Sequence, residues 1–263
     1  MSVTAFPLLM PKGAHFLRIP ASKTACLRVL LETLQRGSYC WCSGCVPAAK
    51  AVAFADKLAT RYAIDANANR RAYRKRQGLA NSTLLLFPHE TQPTHLRWWL
   101  LATPGAGAVH EQEKLLDGRS PRQRLSWGAQ YELTQLQKAA RVGGGRHWTW
   151  RLQTRAYQEW QASVQEAARA TGEAQHDRQR LMACLTALRR LPGYHGIRVQ
   201  QQALLALAQE EWGRHHRAPF PGSSERLPYL DKRFRCYHTP EPLRLDGLVA
   251  WMQRLETLPH AAR

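Results

Sequence analysis

Apolar and polar positions change with two different periods along this chain. From 84 to 152 they fall into short runs. Leu84-Leu85-Leu86-Phe87 and Leu96-Arg97-Trp98-Trp99-Leu100-Leu101 are apolar and aromatic, and the turn-forming Pro88-His89-Glu90-Thr91-Gln92-Pro93 separates them. Tyr131 and Leu133, then Trp148, Trp150 and Leu152, alternate with polar neighbours, which places one set on a core face and the other on an open face. Gly143-Gly144-Gly145 between them reads as a loop, since three consecutive glycines weaken a strand. The pattern predicts one antiparallel sheet over 84–152. Its tryptophans are either core or platforms for stacking on bases.

From 157 to 217 the period is helical. Tyr157, Trp160, Val164 and Ala168 form one stripe, Leu181, Leu185 and Leu188 a second, and Ile197, Leu204, Ala208 and Trp212 a third. Thr171-Gly172 and Pro192-Gly193 break the segment into three helices. Upstream of the sheet, Ser22 reads as an N-cap before Leu27, Leu30, Leu31 and Leu34, with Gly37 as the stop. Phe16-Leu17-Arg18-Ile19-Pro20 suggests a short first strand, and Ser38 to Val46 a turn or strand. Pro47 then opens a helix with Ala51, Phe54, Ala55, Leu58 and Tyr62 on its apolar face. A short helix is expected between His110 and Leu116, and a last one over 246–255 offers Leu248, Trp251, Met252 and Leu255 for docking. The class is α+β with antiparallel strands and a helical subdomain, divided as 1–153, 154–217 and 218–263.

Charge changes the picture most. Among 263 residues, 38 Lys and Arg face 19 Asp and Glu, a formal charge of +19. Such an excess opposes compaction and points to a polyanionic partner, nucleic acid first. Thirty of these cations are Arg, whose fork suits phosphates and base edges. Residues 1–80 alone hold 13 basic and 3 acidic side chains. Lys50, Lys57 and Arg61 stack along one helix side, and Arg70-Arg71-Ala72-Tyr73-Arg74-Lys75-Arg76 is the densest run. Arg70, Arg71, Arg74, Lys75 and Arg76 are expected to touch phosphate, unless the run is only a solvated turn. Arg178, Arg180, Arg189 and Arg190 are expected to form a basic helical face for the stem of an RNA hairpin, or else to pair with Glu166, Glu173 and Asp177.

No secretory leader and no apolar run of membrane-spanning length is apparent, so a cytoplasmic protein without a membrane partner is expected. The six cysteines then read as thiols or metal ligands rather than disulfides. Cys40, Cys42 and Cys45 crowd together without a second pair at finger-like distance, so no metal site is assigned. There is no P-loop, no His-Glu-x-x-His and no acidic cluster for two metals, and no cofactor is expected. What remains is metal-independent chemistry on RNA. There a 2′-hydroxyl attacks its own phosphodiester with help from a base, an acid and cations. His15, near the first strand and helix, is the candidate acid or base. Arg28, Arg36 and Arg244 are candidates for transition-state charge.

A basic chain with short strands, an Arg-rich helical insertion over 157–217 and no metal motif resembles the CRISPR repeat endoribonucleases, most of all the plasmid-borne branch of type IV systems. The resemblance implies ferredoxin-like, RNA-recognition-type domains, a helical element gripping a repeat hairpin, cleavage without metal, and a guide RNA kept in an effector complex. RNA, as hairpin plus single strand, is then the partner, with other effector subunits around it. Two alternatives belong to other classes: a non-catalytic DNA-binding protein of a plasmid or integrative element, and a CRISPR effector subunit that binds without cutting.

Overall fold

The structure, a computed structural model, describes residues 17–137, 144–171, 174–222, 228–231 and 234–257. It is α+β with antiparallel sheets. The chain divides into two compact units, one holding residues up to 118 and from 235 onward, the other 119–234.

Unit 1 begins with α1 (Lys23–Gln35), where the Ser22 hydroxyl accepts the Ala25 amide at 3.2 Å, as its capping position predicts. The strand β1 (Cys40–Pro47) follows, then α2 (Ala48–Tyr62), α3 (Ala68–Arg76), β2 (Ser82–Pro88) and β3 (His95–Ala102). A short α4 (Ala108–Gln112) and β4 (Leu116–Asp117) come next, and α8 (Leu245–Thr257) returns at the end of the chain. The sheet order is β2-β3-β1-β4, every pair antiparallel. The first strand expected around Leu17 is reduced to an isolated bridge between Arg18 and Arg244.

Register sorts the sheet's two faces. Val46, Leu84, Leu86, Leu96, Leu100 and Ala102 share one core with Ala51, Ala55 and Leu58 of α2 and with Leu248, Val249 and Met252 of α8. Trp98 lies over Gly44, its cross-strand partner, where an added Cβ would sit 2.8 Å from the ring. The opposite face buries Trp41, Leu85, Trp99 and Leu101, and α1 covers it with Leu27, Leu30 and Leu34. Most tryptophans are therefore core: Trp41, Trp99, Trp127, Trp150 and Trp212 are all buried. Trp251, expected to dock, is instead 55% exposed.

Unit 2 has its own sheet, β5 (Ser126–Trp127), β6 (Tyr131–Gln137) and β7 (Arg146–Leu152), in that order. The single sheet expected over 84–152 is thus two. The reason is β1: it takes the free side of β3 over eight residue pairs, leaving no edge there for β6. The expected boundary at 153 moves with it to 118, and the segment from 235 onward belongs to unit 1. Three helices follow as the stripes predict, α5 (Thr154–Arg169), α6 (Ala174–Arg189) and α7 (His195–His215). Val164, Ala168, Leu181, Leu185, Leu188, Leu204, Ala208 and Trp212 form their common core. The Gln200 amide ties α7 to β7, accepting from the Leu152 N–H at 2.7 Å and donating to its carbonyl at 3.1 Å. That pairing satisfies backbone groups at the sheet's edge.

An ion network joins α5 to α7. Glu211, 3% exposed, receives both arms of Arg169 at 2.7 and 2.9 Å, with Arg214 at 3.4 Å. The Arg169 hydrogen bonds hold the Glu211 carboxyl below its ordinary range, against the opposing effect of burial. A carboxyl depressed in the folded state stabilises above its unfolded pKa, about 4.3, and loses that contribution as pH falls through the folded value. Glu211→Gln is therefore expected to lower the urea midpoint at pH 7, and to lower it by less at pH 3. A midpoint difference that is the same at both pH values would disprove the linkage.

Candidate nucleic-acid interface

Helix α3 is held in place without apolar burial. None of its residues is buried, and a helix of nine residues is too short to sustain itself in water alone. Two arginines anchor it. Arg71 donates from Nε to the Ala66 carbonyl at 2.9 Å and from Nη2 to the Ile64 and Ser82 carbonyls, both at 2.9 Å; Nη1 reaches the Thr83 hydroxyl at 3.3 Å. Arg74 donates twice to the Ala80 carbonyl, at 3.2 and 2.7 Å. Burial, then the charge of Arg74, lowers the Arg71 pKa, although the guanidinium stays protonated. The loop beyond α3 is braced from the other side. Gly105, at φ +137°, presses against Gly78 and Ala80 so closely that a Cβ would stand 2.7 Å from the Gly78 carbonyl oxygen.

Fixing α3 against β2 opens a cleft of about 1020 Å³ between α1, α3 and the start of β2. Arg18, Arg36, Arg71 and Lys75 line it, with Tyr39 and Tyr237, and among the described residues no carboxylate or histidine does. Arg36 is open to solvent, its nearest carboxylate oxygen 3.6 Å away on Glu32. The Arg18 guanidinium lies 5.9 Å from the centre of the Tyr237 ring. Burial pushes the Tyr237 hydroxyl up, so it is a hydrogen-bond donor at neutral pH. Like charges gathered here, with only Arg36 near a carboxylate, suit a phosphate-bearing strand.

The candidates from sequence are distributed as follows. His15 lies outside the described residues. Arg28 is turned to Glu32 at 3.0 Å and does not line the cleft. Arg244 stands before α8, bridged through its backbone to Arg18. Of the three described catalytic candidates Arg36 alone reaches the cleft, and these three do not converge. Of the dense run, Lys75 lines the cleft, while Arg70 and Arg76 face solvent. Arg71 and Arg74 are corrected from phosphate contacts to anchors, because the backbone carbonyls of neighbouring loops occupy their donors. Lys50, Lys57 and Arg61 are exposed along α2, away from the cleft.

In unit 2, Arg178, Arg180, Arg189 and Arg190 are all exposed, but they do not share one face. Arg178 and Arg189 are about three turns apart on one flank of α6, and Arg180 lies about half a turn round from Arg178. The stripe of Leu181, Leu185 and Leu188 separates the two flanks. Arg180 pairs with Glu166 of α5, and Arg190 follows the helix end. Missed from the sequence were Arg18, Tyr39 and Tyr237. Arg18 carried one signal, a lone charge alternating with Leu17 and Ile19; Tyr39 and Tyr237 carried none.

The three close cysteines do not make a metal centre. In β1, Cys40 and Cys42 point to the core face with α2, and Cys45 points to the other. Among the described residues no group of three His, Cys, Asp or Glu side chains is placed to hold a metal ion, and no helix is long and apolar enough to cross a membrane. Compared with models of known protein families, with curated proteins and with solved structures, the chain has no match.

Proposed function

We propose that this chain binds RNA and seats a single strand in the basic cleft of unit 1. The observation that carries the reading is the lining of that cleft, four cations and, among the described residues, no carboxylate. The strand order β2-β3-β1-β4, with helices in the β1–β2 and β3–β4 connections, supports it as the order of a ferredoxin-like β-α-β-β-α-β frame. RNA-recognition domains of that frame use an open sheet face, whereas here α1 covers the face in question. The cleft beside α1 then serves in place of the sheet. The resemblance to repeat endoribonucleases extends the proposal to metal-independent processing of repeat hairpins within a guide-bound complex.

Binding of labelled single-stranded RNA, measured by anisotropy from 50 to 400 mM salt, tests the reading. Each phosphate neutralised contributes about −0.7 to the log–log slope on a single strand, so contacts to Arg18, Arg36 and Lys75 give roughly −2. A slope near zero overturns the proposal. Tighter binding to duplex DNA under the same conditions favours the plasmid-protein alternative. For the activity, a repeat hairpin incubated in EDTA should yield a product ending in a 2′,3′-cyclic phosphate, the result of 2′-hydroxyl attack. An intact hairpin after prolonged incubation removes the endoribonuclease and leaves the binding.

A further inference from the structure

Helix α3 presents a second surface beside the cleft. Tyr73 is 54% exposed at its centre, with Arg70 and Arg76 three residues to either side. A spacing of three keeps all three side chains on one face. Neither guanidinium and no part of the Tyr73 ring has a partner among the described residues. Arg71 and Arg74 on the inward side, with the Asn81 amide donating to the Arg71 carbonyl, hold the helix to its neighbours. The outward face therefore adds nothing to the hold of the helix. An isolated exposed tyrosine needs no explanation, but this one lies between two unpaired cations on a helix retained without a buried residue.

We propose that Tyr73 stacks on an unpaired base of a nucleic-acid strand passing over α3, while Arg70 and Arg76 hold the phosphates on either side. The two arginines are about 9 Å apart along the axis, a span their long side chains adjust to one nucleotide. Lys75, on the neighbouring side of the same helix, lines the cleft, so one strand can leave the cleft and cross this face. An aromatic face flanked by cations is the general device of sequence-tolerant single-strand binding. The proposal rests on the RNA-binding reading and adds a base contact to what is otherwise recognition of phosphate.

The test uses the full chain and a fluorescein-labelled single-stranded RNA of mixed sequence, with abasic sites introduced one at a time. Tyr73→Ala is expected to weaken binding about tenfold without changing the salt slope, since stacking releases no counterions. Tyr73→Phe should stay within twofold of the parent. At one or two positions an abasic site should weaken the parent about tenfold and Tyr73→Ala hardly at all, the non-additivity of two groups in contact. Arg70→Gln with Arg76→Gln should instead flatten the slope. Thermal unfolding of Tyr73→Ala should match the parent, the side chain being exposed. Parent-like affinity of Tyr73→Ala, or an abasic penalty equal in both proteins, overturns the stacking; if Arg36→Gln with Lys75→Gln still weakens binding, the cleft survives that result. No RNA binding by the parent overturns both. Unchanged RNA affinity with loss of a co-purifying protein would assign this face to a protein partner and also overturn the proposal.

Discussion

Arg71→Met should destabilise unit 1 by about 3 kcal/mol, whereas Arg70→Met, one residue away, should stay within about 0.5 kcal/mol of the parent. The contrast follows from where the two guanidiniums go. Arg70 is in water. Arg71 serves the carbonyls of Ile64 and Ala66, in the connection from α2 to α3, and that of Ser82, at the start of β2. It joins three segments that share no apolar contact through α3, because α3 buries nothing. Methionine fills the channel of the aliphatic stem yet leaves those carbonyls without a donor. Each loss is worth about 1 kcal/mol where water can partly replace it, more where it cannot. Arg71→Lys should recover only part, since one ammonium cannot reach three diverging acceptors. Urea unfolding gives the difference, and hydrogen exchange of the α3 and β2 amides shows whether the loss is local. Equal midpoints for Arg71→Met and Arg70→Met would show that the anchor is dispensable.

The same pair of residues shows how far the sequence could be read. Five cations in seven residues announce a basic surface segment, and nothing in their identity separates anchor from contact. The separation depends on helical phase relative to β2, a strand that arrives only after the chain has turned at Gly78. Helices with apolar stripes were legible because their partners lie on the stripe itself: Leu27, Leu30 and Leu34 of α1, and Leu181, Leu185 and Leu188 of α6, are buried as their spacing requires. Strand β1 was only half legible. In Cys40-Trp41-Cys42-Ser43-Gly44-Cys45 the crowding of thiols suggested ligand chemistry and drew attention from the period of two. Leaving β1 undecided made one sheet out of two, since its eight pairs with β3 decide which edges stay free. The cleft was legible only in part, through Arg36, Arg71 and Lys75. Its lining comes from residues 17–39, 66–85, 103–104 and Tyr237, and no local pattern joins segments so far apart.

Replacing Arg18, Arg36 and Lys75 together by Gln should weaken single-strand RNA binding about 100-fold at 0.1 M salt. Removing the same charge from α2, through Lys50→Gln, Lys57→Gln and Arg61→Gln, should cost about tenfold or less. Both variants lower the net charge equally, so any attraction due to overall charge falls by the same amount. What distinguishes them is convergence. The cleft cations line one cavity beside Tyr39 and Tyr237, where a single strand can meet all three at short range. The α2 cations lie along an exposed helix side, where salt screens them over about 10 Å. Three lost contacts at roughly 1 kcal/mol each give a factor of about 100. The log–log salt slope should fall by about 2 for the cleft variant, near 0.7 per phosphate on a single strand. Arg71 is left in place, because its loss would confuse binding with folding; the three chosen side chains are exposed or free of buried partners. Anisotropy titrations at several salt concentrations, on variants whose unfolding midpoints match the parent, supply both numbers. An equal loss in the two variants would mean that charge alone attracts the RNA, and a larger loss in the α2 variant would move the interface to that helix.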